Sequence, residues 1–278
     1  MTALMPVKAY HGGYLDEAVG SMRAQTHPKW RLLVIAEESG RTDLEGVLAE
    51  HLVDPRIGVI ANEGRKLAGA FNTGMKRAET EFVAILFGDD LWAPTAVEVL
   101  AKGIASSPGT DFFHSSRRII DEEGRPISSI HPSRPTVFAD DFGASSPVKH
   151  LLCWNREQGL AIGGMDESLN SVGVDDFDFP WSMAERGATF RAIPDCLYIY
   201  RDHREFFRLT THLPLSHHKR EIARIMRKHG GDRATIAAAV ATAERSHLRQ
   251  CLYRSRFDRW MKGLRGHDAR SGWRERYR

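Results

Sequence analysis

Through the first 100 residues, short apolar runs and helical periods take turns, and no other feature of the chain restricts its fold so strongly. Met5 to Val7 is a short extended start, and "YLDEAVGSMRAQ" (14–25) then places Leu15, Ala18, Val19 and Met22 at helical spacing. "WRLLVIA" (30–36) is a buried-strand run, "DLEGVLAEHL" (43–52) a helix, "IGVIA" (57–61) a strand, "KLAGAFNTGMKRA" (66–78) a third helix and "FVAILF" (82–87) a fourth strand. Strict alternation of this kind demands right-handed crossovers and a mainly parallel sheet flanked by helices. Ligands of such sheets bind outside the carboxyl ends of the strands, where "AEESG" and "GDD" both fall.

Beyond residue 100 the pattern changes. A helix is expected over 96–105, two strands over 111–127 around an Asp-Glu-Glu-Gly turn, a long Ser- and Pro-rich loop over 128–150, a helix over 176–186 and two short strands in "ATFRAIPDCLYIYR". From 217 onward helical patterns dominate. This segment carries 17 Lys and Arg against 6 Asp and Glu, a balance of +11, which leaves −8 for the first 216 residues of a chain whose net charge is +3. The expected organisation is therefore a catalytic unit over 1–216, with halves 1–100 and 101–216, and a basic helical extension over 217–278. Within that extension Arg249, Arg256, Arg259 and Lys262 interleave with Leu248, Leu252, Phe257, Trp260 and Met261, a pattern suited to an anionic membrane surface or to packing on protein, including a second copy of the chain.

No apolar run approaches the roughly 18 residues of a membrane span, and the start lacks the pattern of a secretory signal. Cys153, Cys196 and Cys251 are odd in number and widely spaced, against a disulfide framework or a four-cysteine zinc site. The expected location is the cytoplasm, with peripheral contact at the inner membrane face as a variant.

Three constellations carry chemistry. Asp89 and Asp90 end a buried strand, where adjacent carboxylates call for a cation, and hard oxygen ligands suit Mg²⁺ or Mn²⁺ beside a phosphate; the bland alternative is a solvated turn. Asp175, Asp176 and Asp178 gather at a helix start in "GGMDESLNSVGVDDFDF", more acids than the helix dipole needs, and one of them facing a hydroxyl would serve as a general base. "YIYRDH" ends an aromatic strand in Arg201 and His203.

Taken in order, "MPVKAYHGGYLDEAVGSMRAQTHPKWRLLVIAEES", "NEGRKLAGAFNTGMKRAETEFVAILFGDDLWAP", "IGGMDESLNSVGVDDFDF" and "YIYRDH" resemble a family 2 inverting glycosyltransferase of the GT-A fold, across residues 3 to 203. The resemblance implies a nucleoside-diphosphate sugar donor and an acceptor that is a glycan, a lipid-linked glycan or a small molecule. It also implies residue roles. Asp90 becomes the direct ligand of Mn²⁺ or Mg²⁺, with Asp89 close to the ribose and also counted with the metal, and His203 completing the metal site. Val7 starts the nucleotide-binding loop, Glu37 meets the base, Arg65 or Lys66 lies near the phosphates, and Asn72 braces the donor site. Asp175 and Asp176 match the family's Glu-Asp pair, with Asp176 the catalytic base. The chain departs from the pattern at Gly88, which stands at the usual first acid, at Glu37 in place of Asp, and at "VKAY". The competing readings are a nucleotidyltransferase on a similar sheet, for which "VKAYHGGYLD" is a poor match, and a non-catalytic protein binding nucleic acid or an anionic surface through its tail, against which the converging acids weigh; nucleic acid is not an expected partner.

Overall fold

The computed structural model describes residues 1–143, 145–169, 172–202 and 214–254, with side chains as far as residue 248. The alternation becomes β1 (Thr2–Val7), α1 (Gly12–Arg23), β2 (Arg31–Ala36), α2 (Arg41–Val47), β3 (Ile57–Ala61), α3 (Lys66–Arg77) and β4 (Phe82–Ile85). There follow β5 (Leu91–Trp92), α4 (Ala96–Ser106), β6 (Phe112–Ile120), β7 (Leu152–Asn155), α5 (Arg156–Ala161), α6 (Phe179–Glu185), β8 (Phe190–Arg201), α7 (Leu215–Lys228) and α8 (Arg233–Arg254). Among the described residues the strands form one eight-stranded sheet in the order β3-β2-β1-β4-β7-β6-β8-β5. The first four are mutually parallel; β7 runs antiparallel to both β4 and β6, and β8 is parallel to β6. Two reversals restore direction, so β4, β6 and β8 all end on one edge.

Why these runs are strands shows in where alternate side chains go. Ala3, Met5 and Val7 of β1, Leu32, Val34 and Ala36 of β2, and Phe82 and Ala84 of β4 enter one apolar cluster, beneath α1, α2 and α4. Leu4, Ile35, Val83 and Ile85 enter the other, with α3, α6 and α7. Both faces are covered, which is why these strands read as unbroken apolar runs instead of alternating ones. Leu15, Ala18, Val19 and Met22 are the buried face of α1, as their spacing predicts.

The second half departs from expectation in ways that follow from proline. The return arm after the Asp-Glu-Glu-Gly turn makes isolated bridges, Ile120 to Pro126 and Arg117 to His131, and no continuous ladder, since Pro126 has no N–H to donate. The two short strands expected over 188–201 are one strand, β8, whose register against β6 jumps from Ile193 to Cys196, skipping Pro194 and Asp195. The sequence reading missed β7 and α5. In α7, Ile222, Ile225 and Met226 bury into the same cluster as Phe177 and Trp181, so the boundary set at residue 216 runs along a packed surface. Of the basic tail pattern, everything from Arg249 onward lies outside the residues whose side chains are described.

Candidate active site at the carboxyl edge of the sheet

The ends of β1, β2 and β3 are level, with Val7 opposite Ala36 and Ala36 opposite Ala61. The next residues therefore project together. Glu37 Oε1 accepts from Asn62 Nδ2 at 3.2 Å, and the same amide donates to the Lys66 carbonyl at 3.1 Å, while Asn62 Oδ1 accepts from the Gly64 N–H at 2.9 Å. Asn62 thus fixes Glu37 against the start of α3. Its only sequence signal is its place directly after a strand. Lys66, the first residue of α3, sits at φ 55°, in the left-handed region that costs a non-glycine residue about 1–3 kcal/mol and is found where function requires an unusual backbone.

Asn72 is buried and makes a closed pair with Met165, donating to its carbonyl at 2.9 Å and accepting from its N–H at 2.8 Å. Its Nδ2 also reaches Glu167 Oε1 at 3.2 Å, and Glu167 Oε2 accepts the Arg65 N–H at 2.8 Å. Gly164 lets this happen: at φ +77° it leaves the room a Cβ would take, 2.3 Å from Asn72 Oδ1. The bracing expected of Asn72 is thus toward the 163–169 loop, and Glu167, which the sequence reading did not single out, is its partner.

The Asp-Asp pair divides. Asp90 is 1% exposed; its Oδ2 accepts from the Tyr198 hydroxyl at 2.7 Å and its Oδ1 from the Arg201 N–H at 2.7 Å. Burial, then the charge of Asp90, push the Tyr198 hydroxyl well above its ordinary pKa, so it remains a donor. Each Asp90 oxygen thus accepts one hydrogen bond from β8, which ties the turn after β4 to that strand, and each keeps a second lone pair with which a carboxylate can meet a cation. Asp89 is half-buried at the edge, with its backbone carbonyl accepting from Arg201 Nε at 3.0 Å. The Arg201 guanidinium, itself 1% exposed, pairs further with Glu17, donates to the Glu122 carbonyl at 3.2 Å and lies 4.5 Å over the Tyr14 ring. Arg201 meets the two acids through the Asp89 carbonyl and its own backbone N–H on Asp90, while its ion pair is with Glu17. Val7 packs beside Gly88, 3.7 Å from where a Cβ would stand.

The third cluster reaches this turn through His150. Its ring lies 5.5 Å from that of Phe87 and 5.4 Å from that of Tyr198, and its Nε2 is 3.3 Å from Asp175 Oδ2. Asp175 and Asp176 ride a single π-type turn, Val174–Asp178, entered through Gly173 at φ +62°; such turns recur at functional sites. Burial first, and then the neighbouring charge of Asp175, raise the Asp176 carboxyl above its ordinary pKa, against the lowering pull of His150, Lys149 and Arg117. Asp178 serves structure: Lys228 Nζ reaches its Oδ2 at 2.8 Å and His229 Nε2 its Oδ1 at 3.0 Å. His203 lies outside the described residues.

Among the described residues no three His, Cys, Asp or Glu side chains gather closely enough to hold a metal by themselves. Mg²⁺ and Mn²⁺ beside a diphosphate need fewer, because phosphates and waters supply most ligands; the half-exposed Asp89 carboxylate fits that requirement. No described helix is long and apolar enough to cross a membrane.

Comparison with known proteins bears on this geometry. The model of the family described as Glycosyl transferase family 2 matches residues 2–157. The Escherichia coli UDP-Glc:alpha-D-GlcNAc-diphosphoundecaprenol beta-1,3-glucosyltransferase WfgD is 35% identical over 123 residues, which are 44% of this chain and 47% of that one. Staphylococcus aureus TarS in complex with UDP-GlcNAc superposes with a TM-score of 0.64 at 17% identity, over 93% of this chain and 74% of that one. The mannosyltransferase PcManGT of Pyrobaculum calidifontis, solved with GDP-Man and Mn²⁺, gives 0.57 at 18% identity, over 95% and 74%. The chain covers 19%, 46% and 47% of the lengths of three of its curated relatives.

Proposed function

The chain belongs to glycosyl transferase family 2 and has the GT-A fold, and we propose that it moves a sugar from a nucleoside-diphosphate donor to an acceptor hydroxyl in one displacement that inverts the anomeric centre. The observation that carries this reading is the junction at His150, which joins the Asp89 turn to the Asp175–Asp176 pair. One displacement needs a leaving group held on one side of the sugar and a base on the other.

On the donor side, Glu37 held by Asn62 would meet the base, the start of α3 with Arg65 and Lys66 would face the phosphates, and Asp89 would hold Mn²⁺ or Mg²⁺. A divalent ion there neutralises the charge that develops on the departing diphosphate. On the acceptor side, Asp176 would take the hydroxyl proton. Its raised pKa makes it a better proton acceptor than an ordinary aspartate. The donor bound by WfgD or TarS under their names supports a nucleotide sugar as donor class; the sugar transferred here is chosen by parts of the site those names do not describe.

The test is release of nucleoside diphosphate from UDP-, GDP- and TDP-sugars with Mn²⁺ and with EDTA. At least one donor is expected to be consumed, and Asp89→Ala is expected to abolish the Mn²⁺ response of donor binding. If Asp89→Ala binds donor like the wild type with and without EDTA, the metal assignment is wrong; if no donor is consumed or bound, so is the transferase reading.

A further inference from the structure

Several basic side chains gather beside Asp176 without closing a salt bridge. Arg117 of β6 and His131 exchange backbone hydrogen bonds, Arg117 N–H to the His131 carbonyl at 3.0 Å and the reverse at 2.8 Å. The Arg117 guanidinium lies 5.5 Å over the Tyr200 ring. Lys149, beside His150 in the chain, gives its Nζ to the Ser146 carbonyl at 3.3 Å. Arg117 and Lys149 are half-buried, and each lies within electrostatic reach of the other and of Asp176. Yet among the described residues the only basic group within 4 Å of either acid of the pair is His150, on Asp175. Arg117 Nε and His131 Nε2 are buried without a hydrogen-bond partner, and so are both ring nitrogens of His114, a neighbour of Lys149 that is 1% exposed.

Half-buried cations that no carboxylate pairs are costly, and they persist where a ligand completes them. Asp176 does not complete them, since it stands out of contact. The body they belong to is acidic, −8 over residues 1–216, so a local positive site on it would draw in an anion against that background. Guanidinium and ammonium groups within electrostatic reach of one another suit phosphate or carboxylate oxygens. We infer that the acceptor carries an anionic group, phosphate or carboxylate, close to the attacked hydroxyl, and that Arg117 and Lys149 bind it, with His131 as a further donor. This rests on the transferase reading for the word acceptor and on the cation cluster alone for the anion. An anion there would also relieve the mutual repulsion that, together with burial, lowers the Lys149 pKa.

The experiment is calorimetric titration of the full chain with glucose 1-phosphate, methyl glucuronide and methyl glucoside, each with UDP and Mn²⁺ present to fill the donor end. At least one anionic probe is expected to bind about tenfold or more tighter than the neutral one, and Arg117→Ala and Lys149→Ala are each expected to weaken it by a similar factor. Which anion binds more tightly separates phosphate from carboxylate. Lys149→Arg keeps the charge and is expected to retain most of the affinity, and Lys102→Ala on exposed α4 all of it; near-ultraviolet circular dichroism checks that each variant is folded. Equal binding of the neutral probe, no binding of any probe, or anion affinity indifferent to Arg117 and Lys149 overturns the inference. So does loss of anion binding in Asp89→Ala alone, which would put the anion at the donor end. Failure of the transferase reading shows separately, as absence of UDP binding in the same titrations.

Discussion

At Asp90 the Tyr198 hydroxyl and the Arg201 amide each approach to 2.7 Å, so both carboxylate oxygens are engaged before any ligand arrives. The contrast with Asp176 is one of surroundings. Its carboxyl is raised by burial and by Asp175, so ionisation is opposed in the folded chain. Asp176→Asn is nearly isosteric but accepts no proton, and it is expected to lower turnover by about 10² or more while donor affinity holds. If Asp175→Asn is the crippled variant instead, the base is the other acid of the pair. In the wild type, turnover is expected to fall as pH drops through the raised Asp176 pKa, since the protonated acid cannot serve as base. The stability sign is opposite. A raised acid contributes stability below its unfolded pKa and loses it as pH rises through the folded one, so Asp176→Asn is also expected to melt higher than wild type at pH 7. Much of this was legible in the sequence. A strand that ends in two acids, and three acids after a glycine, both announce a site. Which of Asp89 and Asp90 turns outward was not legible, because Tyr198 and Arg201 decide it from more than 100 residues away.

Elements tell the same story at longer range. The five helices and strands from α1 to α3 follow from periodicity because each buries a face against the sheet that local spacing already describes. β7 does not: "LCWN" is four residues long, it follows a Pro- and Ser-rich loop, and only its antiparallel partners β4 and β6 make it a strand. His150 and Lys149 precede it and were missed as site residues for that reason. The π-type turn is likewise held from outside. Asp178, fully buried with His229, fastens it to the end of α7, where the His229 ring stacks on Trp181 at 4.0 Å and its Nδ1 is 2.9 Å from Glu185. Asp178→Ala would leave His229 buried without that partner, whereas Lys228 keeps Asp166 at 3.3 Å. The expected cost is about 3 kcal/mol, the low end for a broken buried pair, read as an earlier urea midpoint with an unchanged slope. Turnover is expected to fall with it, because the same turn aims Asp176. An unchanged midpoint would mean that the clasp carries no stability.

For the molecule as a whole, the unpartnered His114 sets an acid limit. Burial, aided by the charge of Lys149, pushes its pKa down to about 4 from 6.5. Between those values the unfolded chain takes up a proton that the folded chain refuses, so stability is expected to fall as pH drops through that window, by about 3 kcal/mol in all. His114→Phe removes the titration, and its stability should decline less between pH 6.5 and 4 in urea melts at stepped pH; identical pH profiles would assign the acid limit elsewhere. The clasp at Asp90 has a further consequence, for the time at which the site comes into being. Asp90 and Arg201 are 111 positions apart, and Arg201 reaches back 184 positions to Glu17. A ribosome adding about 5–20 residues each second delivers Arg201 roughly 5 to 20 seconds after Asp90. Until then the parallel half of the sheet can assemble, but its acidic turn lacks the Tyr198 hydroxyl and the Arg201 N–H that seal Asp90. The donor edge therefore becomes native later than the parallel half of the sheet that carries it, and an incomplete chain cannot occupy it with a nucleotide before its partner half exists.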